Sequence, residues 1–268
     1  MKKSQNKAQT RHRFAFITGA SAGIGEATAL QMAENKYSLV LTARRLDRLK
    51  KLAALCLKAG APQVVCHALD ITKPKDILRV AQKLKADGIQ ISVLVNNAGL
   101  AKGVELFQNS KQAEMDDMVD TNVKALLNVT RTFLPDLIST RGHLVNMGSV
   151  AGRLVYAGGA VYCATKFAVR AISDALRIDL QGTGVRVTNI EPGMVQTEFS
   201  LVRLGNQQKA DSIYAGMMPL DANDIARTVL WCLSQPAHVN ITELLIYPTD
   251  QATVGQVVRG EKSIKNLK

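Results

Sequence analysis

Ser149, Tyr162 and Lys166 are the residues whose types and spacing suggest chemistry. Ser149 closes an apolar run, Tyr162 follows thirteen residues on, and Lys166 lies four beyond that. Helical composition from Ala160 into Leu176 puts Tyr162 and Lys166, at i and i+4, on one helix face. An ammonium held there favours the phenolate of its neighbour. A free phenol titrates near ~10, and each unit of lowering takes ~1.4 kcal/mol of differential interaction. Reaching neutrality therefore needs roughly 4 kcal/mol, within reach of a close cation plus a positively charged cofactor ring. The expected chemistry is proton transfer at Tyr162, tuned by Lys166, with Ser149 holding the reacting oxygen. On spacing alone such a pair is more often a solvated surface pair. The elements that would position it have to decide.

Phe14 to Ile17 is a short apolar run, the pattern of a strand buried on both faces of a parallel sheet. It enters Thr18-Gly19-Ala20-Ser21-Ala22-Gly23-Ile24-Gly25 and then a helical stretch from Glu26 to Asn35. Strand, glycine-rich turn and helix make a phosphate cradle, because glycines admit a pyrophosphate to backbone N–H groups and the helix N-terminus adds partial positive charge. The spacing is G-x-x-x-G-x-G rather than G-x-G-x-x-G. A ligand-free tight turn is the alternative.

A second strand, Ser38 to Thr42, ends in Ala43-Arg44-Arg45. An acid near this point would accept from ribose hydroxyls. Two arginines stand there instead, and an arginine fork suits the 2′-phosphate of NADP. Arg44 is the first candidate and Arg45 the second; an exposed basic turn opening the helix Leu46 to Ala59 is the alternative. A third strand, Gln63 to Leu69, leads to Asp70, placed to accept from an adenine amino group or to close a turn or cap a helix. A fourth, Ile91 to Val95, ends in Asn96-Asn97-Ala98-Gly99.

Composition narrows the classes further. The 268 residues carry a net charge of +12 with 47% hydrophobic content, enough for one large α/β domain with a buried core. The basicity is concentrated at the ends, +5 over residues 1–13 and +3 over 259–268, which read as mobile solvated tails and argue against a nucleic-acid function. The basic start leads into polar residues, so no secretory signal is expected, and no apolar stretch approaches membrane-spanning length. Cys56, Cys66, Cys163 and Cys232 are scattered and histidines number four, so neither a disulfide framework nor a metal site is expected. Reduced thiols fit a cytoplasmic location.

T-G-A-S-A-G-I-G at 18–25, N-N-A-G at 96–99, Ser149 and Y-C-A-T-K at 162–166 together resemble the short-chain dehydrogenase/reductase family, in the right order and across nearly the whole body of the chain. The resemblance implies a single doubly wound Rossmann-like domain, a seven-stranded parallel sheet with helices on both faces, and a homotetramer. It assigns residues 13–258 to that NADP-dependent domain, with a substrate lid around 194–218, between basic tails at 1–12 and 259–268. It makes Ser149, Tyr162 and Lys166 the catalytic set, with Asn122 anchoring a relay water. Gly19, Ser21, Gly23, Ile24 and Gly25 become the cofactor loop, Asp70 the adenine contact and Asn97 the wall beside the adenosine ribose. Gly193, Val195 and Thr197 then neighbour the nicotinamide. Ala22 stands where many NADP-dependent members carry a basic residue, which leaves phosphate recognition to the two arginines.

E-F-S-L-V-R at 198–203, A-R-R at 43–45 and Y-P-T-D-Q-A at 247–252 resemble a narrower branch, the NADP-dependent dehydrogenases of serine, allo-threonine and related 3-hydroxy acids. Arg203 is the candidate for pairing the substrate carboxylate, with Arg153 behind it; a surface arginine or an intersubunit ion pair is the alternative for either. A small-molecule substrate is expected, without a nucleic-acid or membrane partner. Two other functions compete: a carbonyl reductase for larger ketone, steroid or acyl substrates, and a non-catalytic NADP-sensing regulator. An intact serine, tyrosine and lysine speak against the last.

Overall fold

The computed structural model describes residues 14–266. Strands β1 (Phe14–Thr18), β2 (Ser38–Ala43) and β3 (Val64–Ala68) alternate with helices α1 (Gly23–Glu34), α2 (Leu46–Ala59) and α3 (Pro74–Ala86). After β4 (Ile91–Asn96) come α4 (Gln112–Val119), a π-helical turn at Asp120–Ala125 and α5 (Leu126–Thr140). The second half runs β5 (His143–Met147), α6 (Ala160–Asp179), β6 (Arg186–Pro192), α7 (Glu198–Leu204), α8 (Gln207–Ile213), α9 (Ala222–Ser234) and β7 (Glu243–Ile246). The strands form one seven-stranded sheet in the order β3-β2-β1-β4-β5-β6-β7, every pairing parallel. The expected doubly wound Rossmann-like architecture is present.

Periodicity explains the layers. Strands β1, β2 and β5 are buried along their whole length, as both faces of a parallel sheet require. One core cluster gathers Met32 of α1, Leu49 and Leu52 of α2 and Val229 of α9 on one face. The other gathers Ile77 and Val80 of α3, Phe133 and Leu137 of α5, and Leu180 beyond α6. Asp221 caps α9 in a capping box with Asp224, satisfying otherwise orphaned N–H groups.

The order of strands places a crossover between β1 and β4. Chain leaves β1 outward to β2 and leaves β4 the opposite way, so their carboxyl ends flank a crevice. The expected basic tail at 1–12 lies outside the described residues. From 259 to 266 every residue but Ser263 is exposed, though the backbone is tied to the body of the fold. Arg259 donates to the carbonyls of Ala215 and, at 2.8 Å, of Ile213; Ser263 is fully buried and donates to Asp250 at 2.6 Å. Ile264 adds a 2.8 Å bond from its N–H to Asp250, so one buried carboxylate anchors this exposed stretch.

Candidate active site

The crevice is a cleft of about 580 Å³ bounded by the glycine turn, the ends of β2 to β6 and the segment 192–203. Gly19, Ser21, Gly23, Ile24, Arg44, Arg45, Asp70, Asn97, Ser149, Tyr162, Lys166, Gly193, Val195, Thr197 and Arg203 all line it. Gly25, Asn122 and Arg153 do not appear on its wall.

Backbone geometry builds the glycine turn. Gly19 sits at φ +66°, and a Cβ there would come within 2.9 Å of Ala98 Cα. At Gly25 a Cβ would meet Asn97 Nδ2 and the Gly19 carbonyl, each at 2.5 Å, so α1 can approach β4 only without a side chain. Asn97 holds that contact by donating to the carbonyls of Thr18 at 2.9 Å and Gly19 at 3.2 Å. Ala22 at the head of α1 gives no side-chain cap, so the first-turn N–H groups of α1 remain available to an anion. Arg44 has no hydrogen-bond or ion-pair partner among the described residues, whereas Arg45 donates to Ser21 Oγ and to Glu198 at 3.1 Å each. Burial pushes the Asp70 carboxyl up, but its bonds from Thr72, with Lys73 and Arg44 nearby, hold it below the usual carboxylate range. An uncapped helix start, glycines with no room for a Cβ and a free guanidinium fit a dinucleotide bearing an additional phosphate.

The three residues expected to carry the chemistry line the same cleft. Ser149 opens a short turn, and its Oγ accepts the Ala151 N–H at 3.1 Å, which leaves the hydroxyl hydrogen free to donate outward. Gly152 lets that turn press on α6, since a Cβ there would lie 2.7 Å from the Lys166 carbonyl. Lys166 is buried, donates to the Met147 carbonyl at 2.7 Å, and stands 5.8 Å from the Tyr162 ring centre. Burial lowers its ammonium to about 8. Burial also pushes the Tyr162 phenol above its ordinary value; the hydroxyl of Ser149, within hydrogen-bonding reach, and the charge of Arg203 pull it back only in part. The expected lowering of the phenol called for a positively charged cofactor ring as well as the Lys166 cation; the chain by itself leaves the phenol raised. Desolvation dominates, and Lys166, bonded to a carbonyl and 5.8 Å from the ring centre, is not among the groups that offset it.

Asn122 is buried in the π-helical turn. Its Nδ2 donates to the Leu100 carbonyl at 2.8 Å and to Thr165 Oγ1 at 3.0 Å, and its Oδ1 accepts from the Leu100 N–H at 2.8 Å. It clamps the loop after β4 to α6.

The two substrate candidates separate. Arg203, on α7, donates through Nε to the Gly103 carbonyl at 3.0 Å and through Nη1 to the Tyr156 hydroxyl at 3.1 Å. Its guanidinium carbon lies 5.4 Å from the Tyr156 ring centre and 5.8 Å from that of Tyr162. Arg153 points away from the cleft into an ion-pair network with Glu191 and Glu243, which Arg170 joins at 2.9 Å. Glu191 is fully buried, and a guanidinium is what holds its charge there. Proximity to Ser149 in sequence misleads because the Arg153 guanidinium is taken by Glu191 and Glu243, which β6 and β7 bring from distant parts of the chain.

Tyr156 and Glu198 line the cleft without having been singled out from sequence. Gly158 and Gly159 separate Tyr156 from α6, so helical spacing cannot link it to Tyr162. Glu198 becomes visible only when α7 folds back against α2.

Residues 13–206 match the family model described as short chain dehydrogenase, so this Rossmann-like chain belongs to the short-chain dehydrogenase family. A serine 3-dehydrogenase of Agrobacterium fabrum is 45% identical over 249 residues, covering 91% of this chain and 97% of that protein. Sulfoacetaldehyde reductase 2 of Chromohalobacter salexigens is 44% identical, covering 88% and 94%. A solved structure titled the closed form of serine dehydrogenase complexed with NADP+ superposes with a TM-score of 0.86 at 39% identity, covering 92% of this chain and 99% of that one. Among the described residues no helix is long and apolar enough to cross a membrane.

Proposed function

We propose that this protein is an NADP-dependent oxidoreductase that interconverts a short 3-hydroxy acid, of the serine, allo-threonine or 3-hydroxypropionate type, with its 3-oxo acid. The observation that carries the reading is the Arg203 guanidinium set 5.8 Å from the ring of Tyr162. A small molecule gripped by its carboxylate on that fork, with the Tyr156 hydroxyl beside it, reaches Tyr162 and Ser149 with its third carbon. The serine dehydrogenases to which the chain is similar support the same class.

Bound NADP supplies the hydride acceptor in oxidation and, as NADPH, the donor in reduction. Tyr162 removes the hydroxyl proton of the substrate in oxidation and returns it in reduction. Ser149, whose Oγ already accepts from Ala151, donates its own hydrogen to the reacting oxygen. Lys166 adds a cation beneath the phenol, and Asn122 fixes the loop that carries Leu100. Burial leaves the Tyr162 phenol raised, so a bound oxidised nicotinamide would have to supply the positive charge that favours its ionised form.

Nicotinamide absorbance assays with L-serine, L-allo-threonine, 3-hydroxypropionate, 2-hydroxyethanesulfonate and a neutral secondary alcohol test the substrate class. Turnover confined to the carboxylates supports the proposal. Preference for the sulfonate moves the substrate toward the sulfoacetaldehyde type, and preference for the neutral alcohol overturns the assignment of Arg203. Tyr162→Phe is expected to lower kcat by about 10³-fold while NADPH affinity, read by fluorescence titration, stays within about twofold. Undiminished kcat removes Tyr162 from the chemistry. A cytoplasmic homotetramer completes the reading, supported by Leu127 of α5 and Phe167 and Ile178 of α6, apolar side chains that stay exposed on the single chain. Light scattering at assay concentration tests the subunit count.

A further inference from the structure

Glu198 occupies an unusual place for a surface carboxylate. It is the first residue of α7, just after the Thr197 cap, and it lines the cleft beside the residues expected to receive the 2′-phosphate. Its Oε2 lies 3.1 Å from Arg45 Nη2 and its Oε1 lies 2.7 Å from Arg48 Nη1. Arg45 also donates to Ser21 Oγ, through Nε at 3.3 Å and Nη2 at 3.1 Å, so the guanidinium bridges the glycine turn and the lid. Arg48 sits one turn further along α2 and is not on the cleft wall. The bond from Arg48, together with Arg45, holds the Glu198 carboxyl below the usual range, so it is ionised at neutral pH.

A carboxylate pinned by two arginines at this point stands where a second anion would go. We infer that Glu198 is a specificity-determining residue for the cofactor: it competes with the 2′-phosphate of NADP for Arg45, and so tempers the affinity that the two arginines would otherwise give. Binding is then an exchange of partners. The 2′-phosphate takes Arg44, which is unpaired among the described residues, and displaces Glu198 from Arg45, while Arg48 retains the carboxylate. A cofactor without the 2′-phosphate meets no competitor and leaves the Arg45–Glu198 pair in place. The inference rests on the NADP reading and goes beyond it by naming the residue that sets how strongly the phosphate is preferred.

Calorimetric titration with 2′,5′-ADP and 5′-AMP tests this without turnover. For Glu198→Gln, 2′,5′-ADP is expected to bind about 5-fold more tightly than to the parent, the scale of an exposed ion pair, while 5′-AMP changes by less than about twofold. Glu198→Asp, which keeps the charge, is expected to stay within about twofold of the parent for both. Circular dichroism melting confirms that the variants fold. Unchanged or weaker 2′,5′-ADP binding in Glu198→Gln overturns the inference, as does equal tightening in Glu198→Asp. A parent protein that binds 5′-AMP as tightly as 2′,5′-ADP overturns the NADP reading itself.

Discussion

Arg153 and Arg203, the two candidates for the substrate carboxylate, are held in contrasting surroundings. Behind Ser149, Arg153 meets the carboxylates of Glu191 and Glu243 at the edge between β6 and β7, where Glu191 is sealed from water. Arg203 bonds to a carbonyl and a phenol hydroxyl and faces the rings of Tyr156 and Tyr162, all neutral partners. The first guanidinium has its charge cancelled and serves the fold. The second keeps its charge unspent and facing the cleft, available to an anion. Residue type is the same in both places; the difference is whether a carboxylate of the chain already occupies the fork.

The largest effect is expected at Arg153. Arg153→Ala leaves Glu191 buried without its counter-ion and should lower unfolding stability by about 3 kcal/mol, measured by urea denaturation. In the fraction that remains folded, KM for the 3-hydroxy acid should be unchanged. A rise in KM with full stability would reverse the assignment of the two arginines. Arg203→Ala should do the opposite, raising KM for the hydroxy acid by about 30-fold, or ~2 kcal/mol of lost charged hydrogen bonding, while melting changes little. An equal loss with a neutral alcohol would show that Arg203 shapes the lid rather than holding the anion.

Lys166 extends the contrast to a buried cation whose pKa is set by desolvation, with no carboxylate contributing to it. Its folded-state value of about 8 lies below the ordinary 10.5. Between those pH values the unfolded chain binds the proton and the folded chain releases it, so stability contributed through this group rises with pH across the window. Wild type should gain about 2 kcal/mol on Lys166→Met between pH 8 and pH 10 in paired urea titrations, an order-of-magnitude figure for a shift of this kind. A stability difference independent of pH would show that the ammonium keeps its ordinary value in the fold.

Much of the fold was legible because it depends on local chemistry. Helix α2 runs from Leu46 to Ala59 as the sequence predicts, since its amphipathic stretch ends at Gly60, which takes φ +113°. The start of α1 was misplaced: the helix begins at Gly23 rather than Glu26, because the glycines read as a loop also form its first turn. The burial of Ser263 was hidden, because it depends on Asp250, a residue thirteen positions earlier that only the turn after β7 brings close. The competition at Arg45 was hidden for the same reason, with 153 residues between the partners.

By itself the sequence determined the parallel sheet, the glycine turn and the line of Ser149, Tyr162 and Lys166, because strand burial, glycine at constrained turns and i,i+4 spacing are set by near neighbours. Tertiary structure decided which arginine is spent and which is free, where Tyr156 and Glu198 stand, and that the Tyr162 phenol is raised rather than lowered in the chain alone. Those outcomes depend on desolvation and on charges from distant segments, and neither quantity exists until the segments are packed together.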